Sequence, residues 1–144
     1  MTEFRRVTPD FAVAAQISVD DVARAAQVGF KAIISNRPDN EESGLPSGAE
    51  MKAAAERAGL SFHCLPFAGP PPPAVVAETA LLLDQIVGPV LAYCRSGRRS
   101  VMAWGMAQAL SGAMAPAQII AAAGRAGYDL GPIRDALETL APPA

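Results

Sequence analysis

Seven consecutive residues, Cys94-Arg95-Ser96-Gly97-Arg98-Arg99-Ser100, hold the side chains best suited to covalent chemistry in this sequence. They lie where an apolar run, Val90 to Tyr93, gives way to a helical pattern starting near Arg99. In an α/β sheet that junction is the carboxyl edge, where ligand crevices form. A helix start carries unpaired N–H groups and a partial positive charge, and Gly97 can take the positive φ that curls a loop's amides inward around an anion. The same field, strengthened by Arg95, Arg98 and Arg99, favours a cysteine thiolate. Cys94 is therefore expected to be a nucleophile beside a bound anion, with Arg95, Ser96, Gly97, Arg98 and Ser100 as anion-binding residues. Inert packing explains many cysteines at strand ends, but not one followed by a glycine, three arginines and a helix.

Asn36-Arg37-Pro38-Asp39 follows another strand pattern and forms a second tier. At that carboxyl edge Arg37 could meet an anion and Asp39 could act as an acid, although the same four residues are also good turn chemistry. Cys64 falls within the strand pattern Ser61-Phe-His-Cys-Leu-Pro66 without a basic neighbour and reads as core. His63 beside it faces the other way and reads as structural. Two cysteines and one histidine make neither a disulfide framework nor an ordinary four-ligand zinc site, so no metal or organic cofactor is expected.

The elements that must position the loop follow from periodicity and punctuation. Phe4 to Val7 and Phe11 to Ala14 read as a strand pair around Thr8-Pro9-Asp10. Ser18 with Asp21 reads as a capping-box-like start for a helix that Gly29 stops, and Phe30 to Ser35 is the next strand. Ser47 with Glu50 caps a helix over Met51 to Ala58, and Leu60 to Leu65 follows as a strand. A stiff connector, Gly69 to Pro73, leads to a helix from Ala74 to Val87 and then to the strand before Cys94. Helices are predicted over Arg99 to Leu110, Pro116 to Ala126 and Pro132 to Leu140, with Ala141 to Ala144 as a frayed tail. The alternation predicts one α/β domain with a mostly parallel central sheet flanked by helices.

A chain of 144 residues with 51% hydrophobic and 18% charged residues is long and apolar enough for a single globular core. A net charge of −2 supplies no basic field for nucleic acid. The most apolar stretch, Ala74 to Cys94, is interrupted by Glu78, Asp84 and Pro89, so no membrane span is expected. The start, Met1-Thr-Glu-Phe-Arg-Arg, lacks an apolar segment behind it, and a cytoplasmic location is expected.

The chain resembles a bacterial family, the phosphatase-like domain that occurs alone and also fused to beta-lactamase-like hydrolases linked to sulfide detoxification. The residues that carry the resemblance are Ile17-Ser18, Phe30 to Asp39, Leu65-Pro66, Val90 to Gly97 with Arg99-Ser100, and Ala126-Gly-Tyr-Asp-Leu130. It implies a fold like that of dual-specificity phosphatases, with Cys94 as nucleophile and Arg99 as the loop arginine that holds the anion's oxygens. Those phosphatases place five residues between Cys and Arg, whereas four lie between Cys94 and Arg99. The shorter loop resembles that of rhodanese-type sulfurtransferases. Phosphatases of this fold also supply an Asp general acid after the strand matching Phe62 to Pro66, and Phe67 to Pro73 contains none.

Expelling sulfite from thiosulfate needs no proton from the enzyme, so the expected function is sulfur transfer: Cys94 takes sulfane sulfur from thiosulfate or a small persulfide and passes it to a thiol acceptor. A phosphatase acting on a phosphoester through a cysteinyl-phosphate is the alternative. A non-catalytic redox or anion-sensing module is a third. A persulfide-processing beta-lactamase-like hydrolase is the expected functional partner.

Overall fold

The computed structural model describes residues 1–143, and Ala144, at the end of the expected tail, lies outside them. Five strands form one sheet in the order β1-β2-β5-β3-β4: β1 Arg5–Thr8, β2 Phe11–Ala14, β3 Ala32–Ser35, β4 Ser61–Cys64 and β5 Val90–Tyr93. Only the β1–β2 hairpin is antiparallel, and β5 lies between β2 and β3 with Tyr93 level with both Ala14 and Ser35. All three of these strands are buried along their whole length, as expected for parallel strands covered on both faces.

Helices α1 (Val19–Gln27) and α2 (Gly48–Arg57) cover one face, over Ile33, Phe62, Leu91 and Tyr93. The other face, with Val13, Ile34, Val90 and Ala92, is covered by α3 (Pro73–Gln85), α4 (Arg98–Ser111), α5 (Pro116–Arg125) and α6 (Arg134–Leu140). The architecture is the expected mostly parallel α/β sandwich. Local chemistry sets the boundaries. Ser18 and Asp21 exchange side-chain-to-backbone hydrogen bonds at 3.1 and 3.0 Å, a full capping box at α1. Ser47 caps α2 through the Glu50 N–H at 3.1 Å, and the helix begins three residues earlier than the apolar pattern suggests.

Three expectations are corrected. The third strand starts at Ala32, because the Phe30 N–H is spent on the Ala25 carbonyl at the end of α1 (3.1 Å). A short 3-10 turn, Gly131–Ile133, precedes the last helix, whose α-helical part starts at Arg134. The turn chemistry of Asn36 to Asp39 runs on into a short 3-10 turn, Asp39–Glu41. Cys64, read as core, is exposed because β4 is an edge strand and the thiol lies at its last residue.

Candidate active site

The loop after β5 wraps onto its own cysteine. Cys94 is fully buried, and its Sγ accepts the Gly97 N–H at 3.1 Å. Gly97 is the N-cap of α4 with φ +91°, a backbone state that L side chains rarely adopt. The β2 end braces the loop from outside, with the Gln16 N–H donating to the Arg95 carbonyl and the Cys94 N–H to the Ala14 carbonyl, both at 3.4 Å.

Arg99, in the first turn of α4, is held by three acceptors. Its Nη1 donates to Glu41 Oε2 at 2.8 Å and to the Phe67 carbonyl at 2.9 Å, and its Nη2 donates to Glu41 Oε1 at 2.7 Å. Glu41, and also the nearby Cys94 sulfur, favour the charged guanidinium. Arg37, nearly buried, grips the same carboxylate from behind: Nε reaches Glu41 Oε1, Nη2 reaches Glu42 Oε2 and Nη1 reaches Gln16 Oε1, each at 2.9 Å. The Arg99 hydrogen bond, with Arg37 adding to it, outweighs partial burial and holds the Glu41 carboxyl below the usual carboxylate range. Glu41 is thus ionised at neutral pH and is a positioning group rather than a proton donor.

The second-tier residues separate. Arg37 comes to the site but spends its fork on Glu41, Glu42 and Gln16. The Asn36 side chain ties strand ends together, donating to the Leu65 carbonyl at 3.0 Å. Asp39 reaches the start of α2, where its Oδ1 accepts the Gly48 N–H at 2.7 Å, and the Cys64 sulfur neighbours the same glycine. Partial desolvation of the Cys64 sulfur, exposed though the residue is, and the nearby Asp39 raise its thiol pKa, which disfavours a thiolate there. His63 meets Ser61 Oγ at 3.2 Å, away from the loop's hydrogen bonds.

Within the loop, Arg95 and Ser96 are exposed, and Arg98 turns outward so that its Nη1 donates to the Asp129 carbonyl at 3.3 Å. The Ser100 hydroxyl is buried and without a partner, the one buried polar side-chain group of the loop left unpaired. Sequence reasoning passed over Glu41, although it lies two residues beyond Asp39 in the same acidic run. Tyr128 was noted for the resemblance but given no role. Its Oη donates to the Ser96 carbonyl at 3.0 Å. Among the described residues no group of three or more His, Cys, Asp or Glu gathers as a metal site.

The model for the phosphatase-like domain of beta-lactamase hydrolase-like proteins matches residues 3–111. The chain belongs to that family. Beta-lactamase hydrolase-like proteins of Agrobacterium fabrum and Xylella fastidiosa are each 31% identical to it, over 126 and 121 residues. Those alignments cover 87% and 83% of this chain but only 29% and 28% of the relatives, so the chain spans under a third of their length. The crystal structure of a Neisseria meningitidis protein designated a candidate phosphatase superposes with a TM-score of 0.79 at 35% identity, covering 94% of this chain and 96% of that one. Kinase associated phosphatase, at 16% identity and a TM-score of 0.70 over 97% and 95% of the two chains, shares the fold. This family member is therefore phosphatase-like in fold, with Cys94 and Arg99 together at the carboxyl edge of its sheet. No helix among the described residues is long and apolar enough to cross a membrane.

Proposed function

We propose that this protein is a cysteine-dependent hydrolase of small phosphomonoesters, preferring esters whose leaving groups are acidic. The observation that carries the reading is the buried Cys94 sulfur under the Gly97 N–H with the Arg99 guanidinium beside it, in a phosphatase-like family and fold. The Cys94 thiolate attacks phosphorus, the ester P–O bond breaks, and the leaving oxygen departs with the electron pair. Water then attacks the cysteinyl-phosphate, the S–P bond breaks, and inorganic phosphate and the thiolate are released. Arg99 and the loop amides, with Arg95 at the rim and the Ser100 hydroxyl below, hold the phosphoryl oxygens. Glu41 is ionised, Asp39 is occupied at α2, and the connector after β4 is free of acids, so an alkoxide lacks a proton donor and aryl phosphates are the better substrates.

Sulfur transfer is the second reading, and the four-residue spacing between Cys94 and Arg99 favours it. There the thiolate attacks the outer sulfur of thiosulfate, the S–S bond breaks, and sulfite leaves with the pair. An acceptor thiolate then takes the outer sulfur and frees Cys94. Either reaction runs in the cytoplasm, where a lone thiol stays reduced. The name of the relatives supports a beta-lactamase-like hydrolase as functional partner.

Release of aryl and alkyl alcohols from phosphomonoesters, measured beside the intact mass of the protein after thiosulfate, tests both. The proposal expects aryl phosphate turnover that Cys94→Ser abolishes and Arg99→Lys impairs, since a point charge cannot replace the planar fork. A sulfur atom gained at Cys94 without aryl phosphate turnover overturns it in favour of the second reading.

A further inference from the structure

We infer that Tyr128 is a positioning residue that tunes the Cys94 thiolate through one peptide group. The inference rests on Cys94 being the reactive group, not on which anion it attacks. Tyr128 lies in the turn after α5, 34 residues beyond Cys94. Its Oη donates to the Ser96 carbonyl at 3.0 Å, and the N–H of that same Ser96–Gly97 peptide donates to Cys94 Sγ at 3.1 Å. A donor on a peptide's oxygen polarises the unit and makes its N–H a stronger donor, so the outer, solvent-facing hydrogen bond reinforces the buried one on the sulfur. The far end of the relay is the group that gains most, because hydrogen bonds to a charged sulfur exceed those to a neutral one.

The turn carrying Tyr128 is pinned from two sides. The Arg5 guanidinium from β1 lies 5.6 Å from the Tyr128 ring centroid, and its Nη1 donates to the Ala126 carbonyl at 3.4 Å. From α4, Arg98 donates to the Asp129 carbonyl at 3.3 Å. Contact with the loop is close enough that a Cβ on Gly97 would lie 2.2 Å from Tyr128 Oη. Burial raises the phenol's pKa, so the hydroxyl remains a donor at neutral pH. The charged and titratable groups set around the cysteine include Arg99 from α4, with Glu41 behind it, and Tyr128, with Arg5 and its ion-pair partner Glu3 behind it.

The test is the ultraviolet absorbance of the Cys94 thiolate against pH, in Cys64→Ser protein so that one thiol remains. Tyr128→Phe keeps the ring and deletes the donor. The midpoint of the titration is expected to move up by about 0.3–0.6 pH unit. Replacing Tyr128 by 3-fluorotyrosine, whose hydroxyl is the stronger donor, is expected to move it down, and this arm needs no deletion of any contact. An unmoved midpoint in both variants overturns the inference, as does a shift of the same sign in both. Failure of phosphatase activity leaves this titration readable, so the two proposals fail separately.

Discussion

Replacing Gly97 by alanine attacks the loop at its tightest point. The residue sits at φ +91°, where an L side chain costs about 1–2 kcal/mol. The added Cβ would meet Tyr128 Oη at 2.2 Å and Cζ at 3.0 Å, so the tyrosine must swing away and give up its bond to the Ser96 carbonyl, a further ~0.5–1.5 kcal/mol. The expected loss is about 2–3 kcal/mol, which for a chain of this size lowers Tm by roughly 6–10 °C. Urea unfolding followed by the fluorescence of Trp104, the single tryptophan, measures it. The steric part belongs to the pair, so in a Tyr128→Ala background the same substitution should cost only the backbone part, about 1–2 kcal/mol. Equal costs in the two backgrounds would refute the reasoning, because the clash would then not be where the structure puts it.

Glu41→Gln should reduce turnover by about tenfold or more, since Arg99 loses its charged anchor, while the fold survives; kcat and a melting curve on the same preparation check this. The Glu41 carboxyl is held below its unfolded value by Arg99 and Arg37, so its contribution to stability is complete above the unfolded range and disappears as pH falls through the folded one. Unfolding measured from neutral pH downward should therefore lose less stability in Glu41→Gln than in the wild type. Asp39→Ala should cost about 0.5–1.5 kcal/mol by removing the acceptor of the Gly48 N–H at the start of α2, which Ser47 still caps, yet leave turnover nearly intact. A large activity loss at unchanged stability would return Asp39 to the chemistry.

The parts of the site legible in the sequence are those where one short segment contains both the cause and the effect. Ser18 and Asp21 specify the start of α1 three residues apart, and Cys94 to Ser100 specify a strand end, an anion loop and a helix start without a break. Glu41 escaped because its meaning depends on Arg99, a residue 58 positions away, and on the sheet order that brings β3 beside β5. Asp39 and Glu41 look alike in the chain, and only the 3-10 turn between them decides which faces the loop and which faces α2. Cys64 was misplaced for a related reason: a strand's sequence does not say whether it lies at the edge, and β4 does.

The place of β3 between β5 and β4 fixes how this protein recovers from oxidation. Cys64 is level with Ser35, and Ser35 with Tyr93, so the two cysteine backbones stand about 10 Å apart across an intervening strand. A disulfide needs Cα atoms within about 7 Å, so the two thiols cannot join without unpicking the sheet. Cys64 therefore cannot resolve a sulfenic acid or persulfide on Cys94, which is left to another thiol. Where that thiol is a small molecule, the lifetime of the oxidised cysteine falls in inverse proportion to its concentration.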